Sequence, residues 1–498
     1  MEVAAGRIIV TIMAHKLSLL AIAVCLPFIL WAVCGILPTF DDFTTLQSPW
    51  WVQLADPGYF FADSVRRPFD ALLGAIVGWQ PALFPTLNHV LIILGHAANA
   101  LLVFVLCRRL RIGEAATNIA TLFFFFSPAT LGVTLACDGF NQTFAQFWGL
   151  IALLTYLSGL QAHGFRRHAW LLCVVMAVLS KENGLAWAAA VPIVAYAFRQ
   201  TGLRRTAADI ARGLLVAVAY FAVLFLLIQS GIVPIDYPEE YTEATFMAHL
   251  KDFVQLMAYT WVPLDYMSAV YAPSRNLAVV AVTALLGLPF LLMLASRWRL
   301  LLVRPVLVLV VCFFVLVSPH LVTVVSIMHN YAALAIAALT VAVLADSIAA
   351  ESKASKWLAL TFTVYMAAAL FTDIRHCVAA RESGLLGKRL AMQAIEDAGR
   401  PLRKAMVISI YDPAEPCYSS FRVRPADAFG WGLSVRHYTG YEWKTAISEA
   451  EFDHYDPQLV KAVADSALRA GCEAVWVVGH RPDSLSIITP QPRIRQTD

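Results

Sequence analysis

The chain has 498 residues, of which 59% are hydrophobic and only 14% charged, and its mean hydropathy is +0.67. Soluble domains carry about a quarter charged residues, so this balance excludes an ordinary soluble protein and implies a polytopic membrane protein. The formal net charge of +3 is too small to point to nucleic acid as a partner.

The first apolar run, 17–37, has about twenty residues without a charge, enough to cross a hydrocarbon core of roughly 30 Å. It is too long for a signal-peptide core and lacks a small-x-small cleavage site, which predicts a retained anchor. Further spans are predicted at 89–107, 116–126, 144–160, 168–179, 184–198, 214–228, 277–295, 305–317, 331–344 and 357–371, about eleven in all.

The loop charges supply an independent check on that count. Arg7 and Lys16 precede the first span, and Arg108, Arg109 and Arg111 follow the second. Arg166 and Arg167 follow the fourth, Arg199, Arg204 and Arg205 the sixth, Arg297, Arg299 and Arg304 the eighth, and Lys353 and Lys356 the tenth. Every second junction is basic, the positive-inside pattern of a cytoplasmic amino terminus. Stretches 41–84, 127–143, 180–183, 230–275 and 318–330, and everything after 373, then fall on the outer side.

The two long outer loops, 39–87 and 230–275, carry amphipathic segments. Phe69, Leu72, Leu73 and Ile76 share one helical face; Phe246, Leu250, Phe253, Val254, Met257 and Trp261 share another. Such helices lie flat in the outer headgroup layer or pack on the top of the bundle.

At the outer end of the first span stand two adjacent carboxylates, Asp41 and Asp42, in Pro38-Thr-Phe-Asp-Asp-Phe43. An isolated acidic pair at a span end marks the interface and nothing more. This pair shares the outer side with Arg66, Arg67, Asp138, Lys181, Glu182, Lys251, His320, His329 and Tyr331. Ser180-Lys-Glu-Asn183 interrupts an otherwise apolar stretch and reads as a tight outer turn, a salt bridge or a site for an anionic headgroup; charge held at membrane depth is costly and tends to be functional. His89 and His96, two turns apart on one face, are expected to pack between helices; they lack the companions a zinc site needs.

These residues resemble the GT-C membrane glycosyltransferases, especially the protein O-mannosyltransferases and the animal transmembrane-and-TPR O-mannosyltransferases. Phe40-Asp-Asp-Phe43 looks like their acidic motif, and Arg67-Pro68 is similar to an Arg-Pro that follows it. Asn88-His89 and His96-Ala-Ala-Asn-Ala-Leu-Leu102 look like their His-x-x-Asn-x-x-x-His-Ala segment. Lys181-Glu-Asn-Gly184 is similar to their Lys-Glu-x-Gly turn. The chain departs from the pattern at His329, where the relatives often carry Arg before Tyr331, and in having no TPR repeats after the spans.

The resemblance implies a GT-C-like, all-α polytopic bundle over 1–373 that uses a polyprenyl-phosphate-linked sugar as donor, with inversion at the anomeric carbon. The acceptor is a hydroxyl of a glycan, lipid or protein, and membrane lipid is the other partner. Its chemistry suits the residues. A hydroxyl is a poor nucleophile until a carboxylate, Asp41 or Asp42, takes its proton. The leaving phosphate gains charge that Arg67 grips bidentately and Lys181 meets as a point charge. Arg66, Glu182, Asp138, His329 and Tyr331 complete the expected substrate and lipid-phosphate site. No cofactor is required, since phosphate already leaves well, although two adjacent acids can also hold a divalent ion. The reading from another class is a lipid or glycolipid transporter or flippase. It calls for broken spans and an internal repeat, and the sequence offers neither.

After 373 the composition changes. Residues 382–398 read as a helix stopped by Gly399, 404–411 as a buried strand, and Asp456-Pro457 as a helix start with Gly471 as its stop. Residues 474–478 read as a second strand. A small α/β domain over 374–498, periplasmic or lumenal, is therefore expected, with a scaffolding or acceptor-binding role. Cys377, Cys417 and Cys472 would lie in an oxidising compartment, where one pair could bridge. The alternation of basic loops predicts that a reporter active only in the cytoplasm, fused after Asp498, stays silent; strong signal there would overturn the assignment of sides.

Overall fold

The computed structural model describes residues 16–39, 42, 85–137, 139–231, 246–264, 273–318, 327–410, 429, 433–440, 442–443, 445–479 and 485–488. The fold is mostly helical. Each apolar run of the sequence lies in a helix: α1 (Leu17–Val33), α2 (Thr86–Arg109), α3 (Glu114–Phe125), α4 (Phe140–Gly159), α5 (Phe165–Ser180), α6 (Trp187–Ala197) and α7 (Leu203–Gln229). After α8 (Phe246–Trp261) come α9 (Pro273–Ala295), α10 (Arg304–Val317), α11 (Tyr331–Ala349) and α12 (Ser352–Ala398). Among the described residues five helices are long and apolar enough to cross a membrane, or six if α3 and the bent segment Pro128–Thr134 count as one. By length and composition this is a membrane protein.

The most buried helix is α11, with 78% of its apolar window inside the bundle, whereas only 11% of the α7 window is covered. The difference is written in side-chain size. Tyr331-Ala-Ala-Leu-Ala-Ile-Ala-Ala-Leu is rich in alanine, so neighbouring backbones come close enough to surround the helix. On α7, Leu215, Val218, Phe225 and Leu226 are more than half exposed, the surface that lipid covers.

Contacts at the helix ends sort into two groups. At one end Ser18 donates from its N–H and its hydroxyl to Asn118 Oδ1, at 3.0 and 2.7 Å. There Gly113 N–H also donates to Asp346 Oδ1 at 3.0 Å, and Arg205 donates to the Leu160 carbonyl at 2.9 Å. Arg304 donates to the Tyr196 carbonyl and stacks on its ring, and Arg297 pairs with Glu351. Buried Asp209 takes the Tyr156 hydroxyl at 2.8 Å and pairs with Arg205 and Arg212. All these residues come from the junctions at which the basic loops stand. At the other end lie Asp42, Asn88, Cys137, Gln142 and Asn183. Successive helices thus run antiparallel, as the alternating charges require.

Helix α8 packs on the second end. Phe253, Leu256 and Tyr259 are buried against the bundle, and Asn330 donates to the Leu256 carbonyl at 2.7 Å. Leu250 and Val254, expected on the same face as Phe253, are exposed together with Met247. The helix therefore divides its apolar residues between the bundle and the outside. The amphipathic segment around Phe69–Ile76 lies outside the described residues.

Helix α12 is 47 residues long, about 70 Å at 1.5 Å per residue, far more than a bilayer is thick. It runs without a break through Asp373 and joins the predicted last span to the predicted helix 382–398. The charges of Asp373, Arg375, Arg381 and Glu382 lower the hydropathy without breaking the helix, which stops at Gly399 in the left-handed region (φ 61°).

Its final turns form one layer of a small α/β unit. Four strands lie in the order β2 (Ala446–Phe452), β1 (Lys404–Ile410), β3 (Ala474–Val478), β4 (Leu485–Ile488). Strand β1 is parallel to both neighbours, and β4 is antiparallel to β3. Leu390 and Ala394 of α12 cover one face with Val407, Trp476 and Val478; Val460 and Ala464 of the helix Pro457–Arg469 cover the other with Ile408 and Val475. Burial on both faces explains the unbroken apolar runs in β1 and β3. Strand β2, Ala-Ile-Ser-Glu-Ala-Glu-Phe, is a half-exposed edge whose two glutamates hid it from the sequence reading. Cys377 and Cys472 are free thiols, and Cys417 lies outside the described residues.

Asp456 caps the helix Pro457–Arg469, accepting from Gln458 N–H at 2.8 Å and Leu459 N–H at 3.3 Å. Asp456→Ala should therefore cost the α/β unit about 1 kcal/mol. The expected readout is faster amide hydrogen exchange in 457–469 with the bundle helices unchanged.

Candidate active site at one end of the bundle

The site is built around a turn that leaves α1. The Asp42 N–H donates to the Thr39 carbonyl at 2.8 Å, which folds the side chain back over the turn. Asp42 Oδ2 then accepts from Thr39 N–H at 2.9 Å and, at 3.4 Å, from the Thr39 hydroxyl. Oδ1 accepts from the backbone N–H of Cys137 at 2.7 Å. Asp42 is 0% exposed. A carboxylate is held out of water only with partners of this kind, and a backbone N–H to an ionised oxygen is among the stronger hydrogen bonds.

Cys137 is the junction of three elements. Its N–H holds Asp42, its carbonyl accepts from Asn88 Nδ2 at 3.1 Å, and its sulfur lies 3.3 Å from His89 Nε2. Asn88 and His89 belong to the first turn of α2, so α1, α2 and the turn before α4 are tied at one residue. The sequence reading did not single out Cys137. The polar residues Asn88 and His89 at the start of an apolar helix were the available signal.

Two residues into α4, Gln142 Oε1 accepts from Asn183 Nδ2 at 2.9 Å. This bond carries the Lys181-Glu182 turn to the same segment. The turn is close-packed: a Cβ on Gly184 would stand 2.3 Å from the Ala177 carbonyl oxygen, so only glycine fits. Lys181 has extended backbone (φ −157°, ψ 140°), which ends α5, and its side chain is half-buried, like that of Glu182.

Deeper in the bundle a second network fixes the start of α11. His96 Nε2 lies 2.9 Å from the Phe125 carbonyl, so it carries the proton and donates. His96 Nδ1 is then the acceptor for the Tyr331 hydroxyl at 2.7 Å, and that hydroxyl accepts from Asn99 Nδ2 at 3.1 Å. Asn99 also donates to the Thr143 carbonyl at 3.0 Å. Tyr331 is fully buried, and its hydroxyl is committed to this network. His329, half-buried, sits in the turn Ile327–Asn330, which packs on Pro128–Thr134.

Of the residues singled out in the sequence, Asp42, Lys181, Glu182, His329 and Tyr331 are thus at one end of the bundle. Asp41, Arg66, Arg67 and Asp138 lie outside the described residues. Among the described residues no group of three or more histidine, cysteine or carboxylate side chains is placed to hold a metal ion. Compared with protein-family models, curated proteins and solved structures, the chain matches none.

The two-sided grip on Asp42 generates a prediction. In Asp42→Asn one backbone N–H meets an amide NH2 in place of an oxygen, and the charge that strengthened both bonds is gone. The expected loss is about 1–3 kcal/mol, seen as a lower Tm and faster exchange of the Cys137 amide. Equal Tm for this variant and the wild type would show that Asp42 anchors nothing.

Proposed function

We propose that the protein is a membrane glycosyltransferase of GT-C type, with about eleven spans, acting at the outer face of the inner (plasma) membrane. It transfers a sugar from a polyprenyl-phosphate donor to an acceptor hydroxyl. The observation that carries the reading is the fixed acidic turn. Asp42 is buried and held through both oxygens, at the end of the bundle opposite the basic junctions. The positive-inside pattern assigns that end to the periplasm.

The anchoring of Asp42 divides the labour of the pair. A carboxylate whose two oxygens already accept backbone N–H bonds is a poor general base, because those bonds favour its ionised form. Asp41, its neighbour, is then the base, and Asp42 sets the position of the turn. The acceptor oxygen forms a bond to the anomeric carbon of the donor, and its proton passes to the Asp41 carboxylate. The bond from that carbon to the phosphate oxygen breaks, its electron pair leaves with the polyprenyl phosphate, and attack opposite the leaving group inverts the centre. Positive charge beside the phosphate, from Arg67 and Lys181, lowers the barrier as the leaving oxygen gains charge.

The test uses purified protein in nanodiscs with a panel of synthetic polyprenyl-phosphate hexoses and pentoses, reading release of free polyprenyl phosphate. General-base catalysis is worth about 10²–10⁴-fold, so Asp41→Asn should slow release by that order while its Tm stays at the wild-type value. Unchanged release from Asp41→Asn would refute the base. Uncleaved movement of the lipid across vesicles, with no release by the wild type, would establish the transporter instead.

A further inference from the structure

Helix α12 does more than lead the chain out of the bundle. Cys377 and Ala380 pack with Val33 and Ile36 at the end of α1. One turn on, Gly384 meets the acidic turn's own chain: a Cβ there would stand 2.6 Å from the Leu37 carbonyl oxygen. Residues 377, 380, 381, 384 and 388 recur at three- and four-residue spacing and so share one face. That face carries two exposed cations, Arg381 and Lys388.

Arg381 reaches back to α1. Its guanidinium carbon would stand 3.7 Å from a Cβ on Gly35, just past the last turn of α1. Lys388 lies two turns further out, about 10 Å along the axis. The helix Leu433–Tyr438, α13, packs on α12 and carries His437, whose pKa is pushed down to about 4 by burial, with the Lys388 ammonium adding to the effect. His437 is therefore neutral near pH 7. The next residue closes the circuit: burial, with the Cys137 thiol adding to it, raises the Tyr438 phenol. The Tyr438 phenol is thus within electrostatic reach of the Cys137 thiol, on the residue whose N–H holds Asp42. The face of α12 that meets the chain leaving α1 is positive.

We propose that the α12 face bearing Arg381, Gly384 and Lys388 is an anion-binding wall of the site, holding the phosphate of a lipid-linked substrate at the outer membrane boundary. This deepens the glycosyltransferase reading and rests on it. The competing account makes both cations ordinary features of a solvated helix. For Arg381 alone it is adequate, since a cation near the carbonyl end of α1 is favourable by itself. It does not cover Lys388, which is beyond the reach of that helix end and whose charge is felt by half-buried His437. Among the described residues neither cation pairs with a carboxylate. The height also fits: Arg381 is level with the end of an apolar span, where the phosphate of a membrane-embedded polyprenyl chain must lie. Glycine at 384 lets the helix approach Leu37, bringing the cations toward the turn.

The experiment measures binding of a synthetic long-chain polyprenyl phosphate to the full-length protein in nanodiscs, with the matching polyprenol and inorganic phosphate as separate arms. Arg381→Gln and Lys388→Gln should each weaken binding about tenfold, and the double variant by about a hundredfold. Arg381→Lys with Lys388→Arg should restore most of the affinity, and Arg403→Gln, exposed on the α/β unit, should leave it unchanged. Wild-type binding with an unaffected double variant would overturn this wall while leaving the transferase reading intact. No wild-type binding at all would overturn both. Polyprenol binding as tightly as its phosphate would remove the anion from the argument. Inorganic phosphate competing at equal concentration would make a free anion the ligand and overturn the lipid headgroup. Tm measurements on every variant separate lost binding from lost folding.

Discussion

Burying one carboxylate at a helix junction constrains much of this molecule. Asp42 sits out of water in a protein whose surroundings are apolar, and an ionised group there is tolerable only if fixed dipoles replace the hydration it gives up. Those dipoles are the N–H groups of Thr39 and Cys137. For Cys137 to offer its N–H, the segment between α3 and α4 must turn back at this height. Asn88 and His89 must also enter from α2 to occupy the carbonyl and the sulfur of the same residue. Positions that are far apart in the chain are thereby set relative to one another.

The two ends of the bundle solve different electrostatic problems. At the basic end, arginines are used as clamps. Arg304 and Arg205 reach carbonyls left over at helix ends, and Asp209 is neutralised from both sides. Helix C-termini leave four carbonyls each without an intrahelical partner, and a guanidinium satisfies several at once. At the acidic end the polar groups are mostly amides and backbone, arranged around Cys137 and Gln142, with cations contributed by α12 from above. Fixed structure at one end and exposed charge at the other suits a site at only one membrane face.

The α/β unit is joined to the bundle by a continuous helix rather than by a linker. Because α12 supplies residues to the core below and to the sheet above, the orientation of the sheet follows from the orientation of the last span. The close approach of Gly384 to Leu37 sets α12 as a wall beside the chain that leaves α1. A flexible tether would leave that wall undefined.

Much was legible without coordinates because it depends on near neighbours in the chain. Apolar run length marked the helices, alternating basic loops ordered their ends, and Asp456-Pro457 with Gly471 bounded a helix, since caps and φ preferences act within a few residues. The acidic pair stood out because two charges beside an apolar run are conspicuous. Tertiary structure alone decided that Asp42 is anchored, since its anchor Cys137 lies 95 positions away in the chain, beyond any local pattern. It also decided that α12 passes through a run of charges without ending, because a helix leaving a membrane changes its solvent and keeps its hydrogen bonds. The edge strand β2 could be assigned only once β1 was there to pair with it. The approach of Arg381 and Gly384 to the end of α1 is a matter of packing between distant segments, which no local pattern of residues encodes.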